Sequence, residues 1–215
     1  MARSNLFRKQ VFTRLYLWRH PEVRGGADGV VFGHTDVALS RNGNKQLRGI
    51  VGYMKQKKVA AVYCSDLQRS LLVAEAVGKT QEPRRKPMIR HDLRELSLGK
   101  WEGLSFKTLQ EQYPEEMQAR WSDLAGYRIP EGESLEDLAE RIIPVFQDII
   151  GENQGREVCV ISHAGVNRVF LAKLLGMPME RVFRLDQEYA CMNLIDVFED
   201  GIPLVRTLNY RAAEQ

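Results

Sequence analysis

The sequence predicts an α/β fold built on a mostly parallel central sheet, and three observations carry that prediction. Residues 15–18, 59–64 and 158–161 form short, continuous apolar runs, the character of strands buried on both faces. Segments with helical periodicity alternate with them. Two of the runs end in histidine, Trp18-Arg19-His20 and Ile161-Ser162-His163, and Arg69 follows closely on the other. Open α/β sheets bind ligands at the carboxyl ends of their strands, so Arg19, His20, Arg69 and His163 are expected to converge on one crevice. Two guanidinium groups and two imidazoles make a poor core and a good phosphate pocket, because burying such cations without an anion is costly.

Taken in order, the first strand leads into a glycine-rich loop over 23–37, with Gly25, Gly26, Gly29 and Gly33. Such a loop either lets backbone approach a ligand or simply connects. Ser40 is a candidate N-cap for a helix that places Leu47, Ile50, Val51 and Met54 on one face and closes at Lys57-Lys58. After the second strand, Ser65-Asp66-Leu67-Gln68 has the pattern of a capping box, predicting a helix through Ala76 with Arg69 in its first turn. Residues 81–87 read as a proline-punctuated loop, 88–90 as a short strand at most, and 93–103 as a turn-rich segment. Helix is predicted over 105–121 with an interruption at Pro114. A second capping box, Ser134-Leu135-Glu136-Asp137, starts a helix with Leu138, Ile142, Val145 and Ile149 facing inward and a kink expected at Pro144. The third apolar strand ends in Ser162-His163-Ala164-Gly165, before a helix over 166–175 that Gly176 and Pro178 stop. Strands at 191–198 and 204–208 flank a turn at Asp200-Gly201. With no repeat and no linker, the alternation predicts one α/β domain over 14–215, preceded by a basic tail over 1–13.

Composition narrows the function. Hydrophobic and charged fractions of 44% and 27% are those of a globular protein, and no apolar run reaches the roughly 18 residues that span a bilayer. A net charge of +3 is too small to imply nucleic acid. Cys64, Cys159 and Cys191 are odd in number, far apart and set in apolar sequence, which predicts buried free thiols in a reducing, cytoplasmic setting. No His/Asp cluster has metal-ligand spacing, so no metal is expected.

The ordered set of motifs is similar to that of a known family. Arg19-His20, Ser65-Asp66-Leu67 with Arg69, Leu93-Arg94-Glu95 followed by Gly99 and Trp101-Glu102-Gly103, Gly132-Glu133-Ser134, and Ser162-His163-Ala164-Gly165 together resemble the histidine phosphatase (phosphoglycerate mutase-like) superfamily. The likeness extends from about residue 15 to 209. It implies a three-layer α/β/α sandwich with a lid segment around 100–132. It also implies a phosphoric monoester hydrolase that works through a phosphohistidine on His20, with Glu95 as general acid and base. Arg19, Arg69 and His163 would hold the phosphoryl oxygens, and no cofactor would be needed. The expected partners are a small phosphorylated metabolite and, in a homodimer, a second copy of the chain.

The sequence departs from the family pattern at Pro21, where glycine is usual, at Val23 and Gly26, where Ser or Thr and Asn are common, and at Ala164. His34, in Gly33-His34-Thr35-Asp36, is a candidate substrate contact or a loop-structuring residue. Glu102 is the rival to Glu95 and reads better as a turn-fixing carboxylate. Tyr113, Trp121 and Tyr127 either pack the lid or stack on substrate. The loop from Phe32 to Leu39 is similar to that of α-ribazole-5'-phosphate phosphatases, which points to cobalamin biosynthesis. A phosphoglycerate mutase and a non-catalytic phosphate-binding module are the alternatives; the short interval between Gly103 and Gly132 disfavours the first, and retention of His20, Glu95 and His163 the second.

Overall fold

A computed structural model describes residues 11–212. In chain order its elements are β1 (Val11–Arg19), α1 (Arg41–Met54), β2 (Ala61–Cys64), α2 (Gln68–Lys79), β3 (Met88–Ile89), α3 (Phe106–Gln112), α4 (Pro114–Ser122), α5 (Leu135–Glu152), β4 (Arg156–Ser162), α6 (Ala164–Leu175), β5 (Cys191–Phe198) and β6 (Pro203–Arg211). The strands form one sheet in the order β3-β2-β4-β1-β5-β6. Pairing is parallel from β3 through β1, and only β5 runs against its neighbours. The mostly parallel α/β sheet expected from the apolar runs is therefore present.

Alternation along the strands explains why helices cover both faces. Leu15, Leu17, Val158 and Val160 pack into one cluster with Leu138, Ile142, Phe146 and Ile149 of α5 and Val166, Val169 and Phe170 of α6. Tyr16, Trp18, Cys159 and Ile161 point the other way, onto Ile50 and Met54 of α1 and Val73 and Val77 of α2. A strand buried on both faces has no polar side to alternate with, hence the continuous apolar runs. The rings of Phe146 and Phe170 stack with centroids 3.7 Å apart, joining α5 to α6.

Local signals held at most element ends. Ser40 caps α1 by accepting from the Gly43 amide, and the Ser134–Asp137 capping box at α5 is complete in both directions. The helix predicted to break at Pro114 does so, with the proline at the start of α4, and α5 runs unbroken past Pro144. All three cysteines are buried and unpaired; burial pushes the Cys64 and Cys191 thiols up to about 12.

Several boundaries differ from expectation, among them α2, which runs on to Lys79, β2 and β4, which begin at Ala61 and Arg156, and β6, which spans Pro203–Arg211. β1 begins at Val11, so residues 11–13, assigned to the basic tail, are strand. Thr13 is fully buried there because its hydroxyl donates to the Ile150 and Asn153 carbonyls at the end of α5. Residues 1–10 of that tail lie outside the described residues. α1 stops at Met54, short of Lys57-Lys58. α6 starts at Ala164, with His163 at its N-cap, rather than two residues later. Most instructive is Ser65, which does not cap α2: Leu67 holds that position without a side-chain cap bond, and the Gln68 amide donates to Asp36 Oδ1 at 2.8 Å. Ser65 and Asp66 are engaged elsewhere, in the crevice at the strand ends.

Candidate active site

Register brings the strand ends together. Arg19 of β1 pairs with Ser162 of β4, and Cys64 of β2 with Ile161, so their carboxyl ends share one edge. There the backbone N–H of His20 donates to the Ser162 carbonyl at 2.9 Å. The His20 ring is 5% exposed, and its Nδ1 lies 2.7 Å from the Pro21 carbonyl oxygen. A carbonyl only accepts, so Nδ1 carries the proton and Nε2 presents a lone pair. Burial lowers the His20 pKa well below its usual value, and the Arg69 and Arg19 charges lower it further. The imidazole is held neutral. Proline at 21 keeps the one group the ring needs, its carbonyl.

Both arginines are set by backbone, not by carboxylates. Arg69, in the first turn of α2 and 1% exposed, donates from Nη1 to the Thr35 carbonyl at 2.9 Å and from Nη2 to the Gly33 carbonyl at 2.5 Å. Arg19 donates from Nη1 to the Gln187 carbonyl at 2.6 Å and stacks its guanidinium 3.6 Å from the Tyr189 ring centroid. The Nε atoms of both are buried without a partner. Among the described residues neither forms a salt bridge, so the positive charge is left for a ligand.

His163 is fully buried, and its ring centroid is 5.1 Å from that of His20. Its Nε2 lies 2.8 Å from the Ser65 hydroxyl, while Nδ1 has no partner. Burial again lowers its pKa well below the usual value, with Arg69 and His20 adding to the effect. Asp66, the next residue after Ser65, is turned to the Arg94 guanidinium, which holds its carboxyl down to about 2. The capping-box residues are thus spent on the site.

Glu95 lines the same cavity as Arg19, His20 and Arg69. Its carboxylate accepts from the Gly165 amide in the first turn of α6, at 3.0 and 3.1 Å, and from the Leu96 amide at 2.9 Å. A helix amino terminus is a natural seat for a carboxylate. Glu102 takes the turn-fixing role expected of it, accepting from the Gly33, His34 and Thr35 amides at 3.0, 2.7 and 3.3 Å. His34 is tied into the same loop, with Nε2 2.9 Å from the Glu95 carbonyl oxygen, and is not among the residues that line the cavity.

The cavity has a volume of about 490 Å³. Around its charged end the walls are apolar, including Val31, Leu98, Leu109, Met117 and Leu135, with Phe106, Trp121 and Phe183 exposed towards its mouth. Of the aromatics singled out in the 100–132 segment, Trp121 faces this space, Tyr127 stacks on Trp101 with centroids 6.2 Å apart, and Tyr113 packs on the core. Three polar cavity residues, Tyr189, Arg168 and Arg120, escaped the sequence reading. Tyr189 has no local signal, since it follows an irregular loop. Arg168 lies four residues after Ala164 on α6, and Arg120 three after Met117 on α4. That spacing puts each on a helix face that also lines the cavity, a pattern visible once one residue of the face is known. Gly26 is explained too: a Cβ there would lie 2.5 Å from the Tyr189 hydroxyl.

A strand-end histidine beside two arginines that form no salt bridge among the described residues, on this sheet order, defines a class. A model of the histidine phosphatase superfamily (branch 1) matches residues 15–210, and the chain belongs to that superfamily. Over 201 residues it is 28% identical to the adenosylcobalamin/alpha-ribazole phosphatase of Escherichia coli (strain K12), covering 93% of this chain and 97% of that one. The crystal structure of the alpha-ribazole phosphatase from Shigella flexneri superposes with a TM-score of 0.82 at 26% identity, covering 93% of this chain and 97% of that one. A 6-phosphofructo-2-kinase/fructose-2,6-bisphosphatase from Gallus gallus is 32% identical over 170 residues, 78% of this chain but 34% of the relative, so this chain spans about a third of that protein's length. The expected enzyme class, a phosphoric monoester hydrolase, is borne out at this level, since these relatives are phosphatases. Among the described residues no helix is long and apolar enough to cross a membrane.

Proposed function

We propose that this protein hydrolyses a small phosphomonoester without a metal ion, through a phosphohistidine on His20. The observation that carries the reading is the fixed ring of His20, whose Nδ1–H is committed to the Pro21 carbonyl while Nε2 stands beside two guanidinium groups with open donors. His20 Nε2 attacks phosphorus, and the bond from phosphorus to the leaving oxygen breaks. Positive charge that builds on the ring is met at Nδ1 by the Pro21 carbonyl. Arg19 and Arg69 receive the phosphoryl oxygens, taking the part a metal plays elsewhere. Ser65, donating to His163 Nε2, leaves the proton on Nδ1, the unpartnered atom, which then donates to a phosphoryl oxygen. Glu95, held on the first turn of α6, protonates the leaving oxygen and then takes a proton from the water that attacks phosphorus in the phosphoenzyme. That second step breaks the bond to Nε2, releases phosphate and restores neutral His20.

The relatives named as alpha-ribazole phosphatases support α-ribazole 5'-phosphate as the first physiological substrate to assay. His34, fixed behind Glu95, acts on substrate through the loop it orders. The test is phosphate release from an aryl phosphate in excess chelator, with rapid-quench trapping of labelled enzyme. Wild type is expected to turn over and to yield an acid-labile, base-stable phosphoenzyme; His20→Ala should do neither. Activity that chelator abolishes, or that His20→Ala retains, overturns the reading.

A further inference from the structure

The phosphate end does not use every cation in the cavity. Arg120, on α4, lines the same space and is 7% exposed, yet its Nη1 has no partner. Among the described residues it makes no hydrogen bond and no salt bridge. Its guanidinium carbon lies 5.9 Å from the Trp101 ring centroid, a contact that leaves the N–H groups unused. Glu116, on the same helix, accepts from the Trp101 indole at 3.1 Å instead. An arginine buried without an anion is costly, and such cost is retained where a ligand relieves it.

Arg120 also stands apart from the phosphate grip. Arg19 and Arg69 stand at the end of β1 and in the first turn of α2, and Arg19 lies over Tyr189, whereas Arg120 comes from α4 and lies over Trp101. Leu98, Phe106, Leu109 and Met117 supply apolar wall to the same cavity. A ligand filling this space has a phosphoryl group at Arg19 and Arg69, an apolar frame along the walls and an acceptor at Arg120.

We propose that Arg120 is a specificity-determining residue that receives a second anionic group on the leaving-group side of the substrate. The preferred substrates are then phosphomonoesters whose ring or hydrocarbon frame carries a carboxylate or a second phosphoryl group. This rests on the phosphohistidine reading above and narrows its substrate class, since α-ribazole 5'-phosphate, with a single phosphoryl group, leaves Arg120 unpaired and is expected to be a poorer substrate than a doubly anionic one.

Binding of non-hydrolysable phosphonates, measured by calorimetry, tests it without requiring turnover. Benzylphosphonate has one anion, 4-carboxybenzylphosphonate adds a carboxylate, and p-xylylene bisphosphonate adds a second phosphonate. At least one doubly anionic ligand is expected to bind wild type about tenfold or more tightly than benzylphosphonate, the worth of one charge-assisted hydrogen bond. In Arg120→Met that ratio should fall to near one, while Arg120→Lys, a point charge without the fork, should retain part of it. A merely structural role would weaken all three ligands alike and leave the ratio unchanged. Equal binding of all three by wild type, or a preference that survives Arg120→Met, overturns the proposal. Hydrolysis of phenyl phosphate, run in parallel, reports separately on the phosphatase reading.

Discussion

The Ser65 hydroxyl lies 2.8 Å from Nε2 of His163, and the other nitrogen of that ring has no partner. In the proposed step the hydroxyl donates to Nε2, which leaves Nδ1 as the nitrogen that donates to the ligand. Ser65→Ala leaves the ring unanchored and its tautomer unselected. A fall in kcat of roughly ten- to a hundredfold is expected, the equivalent of about 1–3 kcal/mol for a lost buried hydrogen bond. Ser65→Thr keeps the hydroxyl and should restore most of the rate. Steady-state kinetics of the two variants checks this, and equal loss in both would count against tautomer control.

Glu95, the proposed proton donor and acceptor, meets two amides of backbone and lines the cavity. Glu95→Gln keeps the shape and removes the proton. Alkyl phosphates, with poor leaving groups, should lose on the order of a hundredfold or more in kcat, and activated aryl phosphates much less. Identical losses on both substrate types would remove the acid assignment.

Burial, reinforced by the neighbouring guanidinium groups, depresses both histidine pKa values in the folded protein. Histidine in an unfolded chain titrates near 6.5, so the unfolded state binds these protons first as pH falls. Stability from the two rings is thus complete above about pH 6.5 and is lost as pH drops from there towards the folded-state values. Ring ¹⁵N signals of His20 and His163 in the free protein should stay those of neutral imidazole at about pH 6. Half-protonation of either ring near 6.5 would contradict the burial argument.

Gly26 and Tyr189 form a coupled pair. A Cβ at position 26 would stand 2.5 Å from the Tyr189 hydroxyl, which leaves no room for a methyl group, and Tyr189 carries the stacked guanidinium of Arg19. Gly26→Ala should push the ring aside and lower kcat/KM for an aryl phosphate several-fold. Adding Tyr189→Phe removes the hydroxyl and should recover part of the loss. A double-mutant cycle measures the coupling; additive effects would show that the ring is not displaced.

The sheet was legible because its strands are buried on both faces, which writes continuous apolar runs into residues 15–18, 59–64 and 158–161. The grouping of Arg19, His20, Arg69 and His163 was legible because strand ends in a parallel sheet share an edge, so sequence position implied spatial position. Tyr189, Arg120 and Arg168 were not, since they reach the cavity from a late loop, from α4 and from the second turn of α6, and no local pattern announces that convergence by itself. Ser65 misled for a physical reason. A hydroxyl near a helix start satisfies the capping pattern whether it faces the helix or, as here, a buried imidazole.

The carboxylate of Glu102 gathers three consecutive amides of the loop whose Gly33 and Thr35 carbonyls hold Arg69. Nearby, Val31 and Gly29 exchange backbone bonds with residues 103–106, including Val31 N–H to Leu104 and Phe106 N–H to Gly29. The start of the segment over 100–132 is consequently tied to the loop that holds Arg69, and a stretch that can be exchanged begins only beyond it. A chimera that borrows another enzyme's substrate preference should be spliced after Phe106 and before Gly132, where the new segment inherits an intact grip on phosphate; a junction placed upstream, at Gly99, would trade away Arg69 along with the old specificity.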